Sequence, residues 1–89
     1  MISFSNDDEA ISLANKTEYG LGATIVSKDT EDAEGLVRLI DSGYTFINDS
    51  VTSMSQIPAG GVKNSGFGRD CGVHGVESFS NVKAFSIKP

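Results

Sequence analysis

The chain has one cysteine in 89 residues, so no internal disulfide can brace it. A lone thiol suits a reducing compartment, and the expected location is the cytoplasm. Basic residues are also scarce: seven Lys and Arg stand against twelve Asp and Glu, for a net charge of −5. The seven are spread along the sequence and build no stripe to neutralise phosphates, which argues against nucleic acid as a partner. Long apolar runs are missing, none approaching the roughly 20 residues of a membrane-crossing helix. Met1-Ile2-Ser3-Phe4 lacks the charged start and apolar middle of a signal peptide. No membrane partner is expected.

What is present is ordinary globular material, 38% apolar and 21% charged. That composition allows one small, compact, soluble domain, and a chain this short buries roughly 60–65% of its unfolded surface. An autonomous domain of this length is stable by about 4–13 kcal/mol. The acidic clusters Asp7-Asp8-Glu9 and Glu31-Asp32 read as first turns of helices, where negative charge is favourable, and not as an acidic tail.

Asn6 followed by Glu9 has the capping-box spacing, and Ala10, Ile11, Leu13 and Ala14 give an apolar stripe, so a helix is expected over about residues 7–16. Tyr19-Gly20 supplies its stop. Ala23-Thr24-Ile25-Val26-Ser27 is short and β-branched, which predicts a strand. Asp29 or Thr30 caps a second helix with apolar Ala33, Leu36, Val37 and Ile40, and Gly43 is placed to end it. Tyr44–Asn48 is a second strand. Strand, helix and strand with short links predict an α/β class and a βαβ unit with parallel strands and a right-handed crossover.

From Asp49 to Gly75 the pattern changes, with six glycines, four serines and one proline and little periodicity. Long segments of this kind are uncommon in compact domains and are often functional. Val73 to Phe79 allows one helical turn or two, its edge blurred by Gly72 and Gly75. Val82 to Lys88 interleaves apolar Val82, Phe85 and Ile87 with polar Lys83, Ser86 and Lys88, which predicts a half-exposed strand. An edge strand of this kind needs a partner.

Gly66-Phe67-Gly68-Arg69-Asp70-Cys71-Gly72 comes near a dinucleotide fingerprint and misses it, because the third glycine is one residue late and no strand comes immediately before. No lysine and hydroxyl follow Gly61 to Gly66 in the P-loop order. His74, the only histidine, lies three residues after Cys71, with Asp70 and Glu77 nearby. A metal site wants three or four ligands in a recognised pattern, and a nucleophilic thiol wants an adjacent base and a lowered pKa. A small packed thiol and a surface imidazole account for both residues, and no metal is expected.

The loop carries a resemblance. Pro58-Ala59-Gly60-Gly61-Val62-Lys63-Asn64-Ser65-Gly66-Phe67-Gly68-Arg69-Asp70 resembles the aldehyde dehydrogenase signature P-F-G-G-x-K-x-S-G-x-G-R-E. Asp8 to Asn15 followed by Thr17 to Ala23 is similar to the family's D-E-A-I-x-L-A-N-x-T-x-Y-G-L-x-A, and Gly43 to Asn48 to its G-x-V-x-V-N. The likeness covers almost the whole chain in order and spacing.

The resemblance implies an NAD(P)-dependent oxidoreductase of several times this length, in which this chain is the C-terminal piece. Residues 1–80 would be a partial catalytic-domain segment and residues 81–89 an oligomerisation strand. The family's cofactor domain, nucleophilic cysteine and general-base glutamate all match positions before Met1. Hence no catalytic residue is assigned, Cys71 is not the nucleophile, and NAD or NADP is expected in full-length relatives but not on this chain alone. Ser53 falls where enzymes resembling succinate-semialdehyde dehydrogenase place a serine that helps hold the substrate carboxylate, although Thr52 and Ser55 offer hydroxyls too. Ala59 stands where the family usually has a pocket-facing Phe. The expected partners are further copies of the chain, through Val82 to Lys88, or an intact aldehyde dehydrogenase. The rival expectation is a non-catalytic interaction or oligomerisation module derived from that family.

Overall fold

The computed structural model describes residues 1–89. Its first helix, α1 (Asp7–Asn15), starts where the Asn6 side chain accepts from the Glu9 amide at 2.9 Å. Glu9 reaches back to accept from the Ser5 amide at 2.8 Å, so two otherwise orphaned donors are satisfied. A short strand, β1 (Tyr19–Gly20), leads into β2 (Gly22–Ile25). Asp29 then caps α2 (Thr30–Val37) by accepting from the Asp32 amide at 3.0 Å. β3 (Tyr44–Ile47) follows, then β4 (Val62–Lys63) and a last short helix, α3 (Gly72–Ser78).

The strands form two separate pairs. β2 and β3 run parallel, with Gly22 opposite Tyr44 and Ile25 opposite Ile47, and α2 lies between them in the chain and packs on β3. β1 and β4 run antiparallel, with Tyr19 opposite Lys63 and Gly20 opposite Val62. Tyr44 and Phe46, two apart on β3 and so on one face, meet edge to face at 5.6 Å between ring centres. Asn48 prolongs the parallel pair beyond its last residue. Its amide donates to Ile25 O at 2.8 Å, its Oδ1 accepts from Ser27 N at 2.9 Å and its Nδ2 donates to Ser27 O at 2.8 Å. The side chain does the work of a strand backbone, and it does so from a left-handed φ of 55° that asparagine tolerates better than most residues.

Three expectations change. Gly43 does not end α2: the helix closes at Arg38, tight turns follow to Ile40, and Gly43 is needed elsewhere for its missing side chain. Tyr19-Gly20 is a strand and not merely a stop. The strand expected over Val82 to Lys88 is not formed. Residues 81–89 are exposed, have no regular structure and make no intrachain hydrogen bond.

The compact domain allowed by composition is not found either. Only four of 89 residues are buried, and Ala33 is the one hydrophobic among them. The accessible surface is 7094 Å², whereas a compact monomer of this mass exposes about 5,000 Å². No helix is long and apolar enough to cross a membrane. The apolar stripes of α1 and α2 and the face of the parallel pair away from α2 are therefore left largely without neighbours in this chain, whereas parallel strands are normally covered on both sides.

Solution scattering on the dilute chain should give a radius of gyration near 17.4 Å. A value near the ~12 Å of a compact chain of this length would contradict this architecture. Asn48→Ala should lower hydrogen-exchange protection at the Ser27 and Asn48 amides by roughly five- to tenfold, the effect of one to two lost hydrogen bonds.

Candidate functional site

The glycine-rich loop is built around close approaches of backbone. A side chain at Gly43 would fall on the Gly60 carbonyl, and one at Gly20 would come within 2.5 Å of the Asp41 carbonyl oxygen. A Cβ at Gly60 would stand 2.6 Å from Gly68 O, and one at Gly61 would collide with Ser65. Gly43 also donates its amide to Gly20 O and Leu21 O, both at 3.1 Å. The kink between β1 and β2, the entry to β3 and the entry to β4 thus converge on four residues without side chains.

Polar side chains of the same loop fasten it to the rest. Lys63 donates from Nζ to Asn15 O at 2.9 Å and to Thr17 O at 3.2 Å, the free carbonyls at and just beyond the end of α1. A cation there also complements the helix dipole. Asp41 lies 3.4 Å away on its other side. Ser65 Oγ accepts from the Gly20 amide at 2.9 Å, and the backbone amide of Asn64 donates to Glu18 O at 3.0 Å. Arg69 turns its guanidinium inward to Gly61 O (2.9 Å) and Gly68 O (2.6 Å). The Lys, Ser and Arg of the signature are all occupied in holding the loop. Asn15 completes the joint, donating to Leu39 O and accepting from Asp41 N, each at 2.8 Å.

Ala59 sits half-buried at the start of this loop, paired with Asp70 through two backbone bonds of 2.8 and 2.7 Å. Ser53 is exposed on the irregular stretch after β3. The neighbouring Thr52 hydroxyl is turned back onto Ser50 O at 3.1 Å, while the Ser53 hydroxyl has no partner in the chain. Cys71 is half-buried at a left-handed φ of 61° before α3 and caps nothing with its side chain. His74 Nδ1 lies 4.0 Å from the Glu77 carboxylate. No group of three or more His, Cys, Asp or Glu comes together in a metal-holding arrangement.

Sequence reasoning missed β1, β4 and the structural use of Gly43. Two-residue strands carry no periodicity to detect, and the need for glycine at 43 arises from Gly60, which is 17 residues distant and visible only in three dimensions. Gly43→Ala should release residues 59–70, seen as lost amide protection at Ala59 and Asn64, while the Ile25–Ile47 pairing survives. If protection at both sites were unchanged, the close approach would not be what holds the loop.

The comparisons agree with this geometry. The pattern of the Aldehyde dehydrogenase family matches residues 1–85. A chloroplastic betaine aldehyde dehydrogenase from Beta vulgaris is 46% identical over 81 residues, 91% of this chain and 16% of the relative. A succinic semialdehyde dehydrogenase from Streptococcus pyogenes, solved with NADP+, superposes with a TM-score of 0.89 at 41% identity, covering 97% of this chain and 19% of that one. A betaine aldehyde dehydrogenase from Staphylococcus aureus, solved with NAD+, gives a TM-score of 0.83 at 39% identity over 85% of this chain and 15% of that one. The chain spans about a sixth of the length of the curated relatives it matches. The expected cytoplasmic location is overturned: similar enzymes from Beta vulgaris and Arabidopsis thaliana are named chloroplastic and one from Pisum sativum peroxisomal. A single cysteine is compatible with any reducing compartment, so composition held no address. With nearly every residue matched and the signature loop folded around its glycines, the chain belongs to the aldehyde dehydrogenase family.

Proposed function

We propose that this chain is one C-terminal portion of the machinery that oxidises an aldehyde to its acid with NAD(P), and that it does not catalyse alone. The observation that carries this is the absence of a core: apolar faces of α1, α2 and the parallel pair are shaped and left uncovered, as in a piece taken from a larger catalytic domain. The family's reaction needs a thiolate nucleophile, a base and a cofactor site. Cys71 falls at no position of the family's nucleophile, and the one histidine, His74, has Glu77 at 4.0 Å. At Gly43, Gly60 and Gly61 the space a side chain would take is filled by the chain's own atoms, so these glycines serve close packing of the backbone. On this reading residues 1–80 are a partial catalytic segment, and residues 81–89 are an assembly strand whose partner is another subunit.

The segment's own contribution is to the aldehyde entrance. Ser53 offers a free hydroxyl from an exposed loop and can donate to an anionic oxygen, which favours a substrate carrying a carboxylate. Relatives named for betaine aldehyde and aminoaldehydes handle a cationic substrate instead. Residues 49–62 contain no Lys, Arg or His and, with Ala59, no aromatic ring. Entrance chemistry from this segment is hydroxyl chemistry in a widened mouth.

A second reading, an assembly module for an intact dehydrogenase, is favoured by the free tail at residues 81–89. Two experiments test these. The chain incubated with NAD or NADP and a panel of aldehydes should yield no reduced cofactor above background; appreciable turnover would overturn the proposal. Grafted in place of the matching segment of the Streptococcus pyogenes enzyme, it should support activity, and Ser53→Ala should then raise KM for succinate semialdehyde roughly tenfold with kcat little changed, the worth of one hydrogen bond to a charged group. An unchanged KM would remove Ser53 from the substrate site.

A further inference from the structure

The stretch between β3 and the glycine-rich loop is held at both ends and leaves the Ser53 hydroxyl free. At its start, Thr24 donates from Oγ1 to Asp49 O at 3.0 Å. Two residues earlier on β2, a side chain built at Gly22 would come within 2.8 Å of a Val51 methyl. Residues two apart on a strand point to the same face, so Gly22 and Thr24 address one side of β2. With Asp49 at Thr24 and Val51 at Gly22, the chain leaves β3 and runs back against the direction of β2. Gly22 lets Val51 approach, and the Thr24 hydroxyl takes up a carbonyl beyond the end of the strand.

At the far end of the stretch, Gly72 donates its amide to Ser55 O at 2.9 Å. Between the two anchors the chain is stiffened locally. The Ser50 amide donates to Asp49 Oδ1 at 2.8 Å, and Thr52 Oγ1 donates to Ser50 O at 3.1 Å. Ser53 thus lies two residues beyond Val51 and two before Ser55, and the path of its neighbours sets where its hydroxyl stands. A hydroxyl that must reach an anionic oxygen at about 3 Å is sensitive to a shift of even one ångström.

We infer that Thr24 is a positioning residue for the substrate contact. By holding the Asp49 carbonyl it fixes the direction in which residues 49–53 leave β3, and so the reach of the Ser53 hydroxyl. Thr24 itself touches no substrate. Asn48 also fastens the end of β3, but through Ser27, which ties the β2–β3 pair and not the stretch beyond it. This role rests on the reading of Ser53 as the group that receives a substrate carboxylate, and adds what holds Ser53 in place.

Thr24→Val removes the hydroxyl and keeps the branched shape that suits a strand, while Thr24→Ser keeps the donor. In the full chain, NMR relaxation should show lower amide order at Val51 to Ser53 in Thr24→Val, near-unmodified order in Thr24→Ser, and no change over Tyr44–Ile47. In the graft into the Streptococcus pyogenes enzyme, Thr24→Val should raise KM for succinate semialdehyde about fivefold, the worth of one neutral hydrogen bond, with kcat little changed and KM restored by Thr24→Ser. Added to Ser53→Ala it should raise KM no further, because the hydroxyl it places is already gone. Unchanged order or unchanged KM in Thr24→Val, beside a Ser53→Ala that does raise KM, would overturn the positioning role and leave Ser53 at the substrate. Two KM effects that add in full would overturn it in the same way. A fall in kcat and stability shared by Thr24→Val and Thr24→Ser would show a packing role, which also overturns it. A KM that responds to neither Thr24→Val nor Ser53→Ala would overturn the substrate reading and this role with it.

Discussion

At Gly43 the backbone passes so near the Gly60 carbonyl that a hydrogen is the largest substituent that fits, and the arrangement of the two strand pairs depends on that contact. The residue lies just before β3, its neighbour across the gap just before β4, and its amide is bonded to the kink between β1 and β2. Three changes of chain direction are thereby stacked on one another. Lys63, Ser65 and Arg69 then act on a geometry already set, filling the free carbonyls and amides that such a tight junction leaves. The family signature is, in this chain, a description of a joint.

That joint is rigid while the surfaces around it are unfinished. One fully buried alanine, with other apolar side chains only half-covered, is little apolar burial for 89 residues. The local devices are nevertheless complete: both long helices have side-chain caps, the parallel pair is extended by Asn48, and no buried side-chain nitrogen or oxygen lacks a partner. Local order without a core is what remains when a segment is specified by its own sequence and stabilised by surroundings that lie elsewhere.

The elements that could be read from sequence were those with a periodic or capping signal. Asn6 and Asp29 mark the starts of α1 and α2 within a residue, because a capping side chain must precede the first turn by a fixed offset. The parallel pairing of β2 and β3 follows from the short links around α2. What could not be read was decided across the chain: the use of Gly43 and the strands of two residues. Ser53 and Ala59 were legible only through family likeness. The structure adds that Thr52 spends its hydroxyl on Ser50 and Ser53 does not, a distinction no spacing rule contains.

The nine residues from Asn81 to Pro89 are exposed, without regular structure and free of hydrogen bonds. A protease needs such an uncovered stretch in its cleft, and most folded proteins must open locally to provide one. Here the stretch is presented from the start, with Lys83 and Lys88 inside it, so cleavage needs no unfolding step and is not slowed by stability elsewhere. The lifetime of this chain in a cell would then be governed by how much of the time the segment is covered.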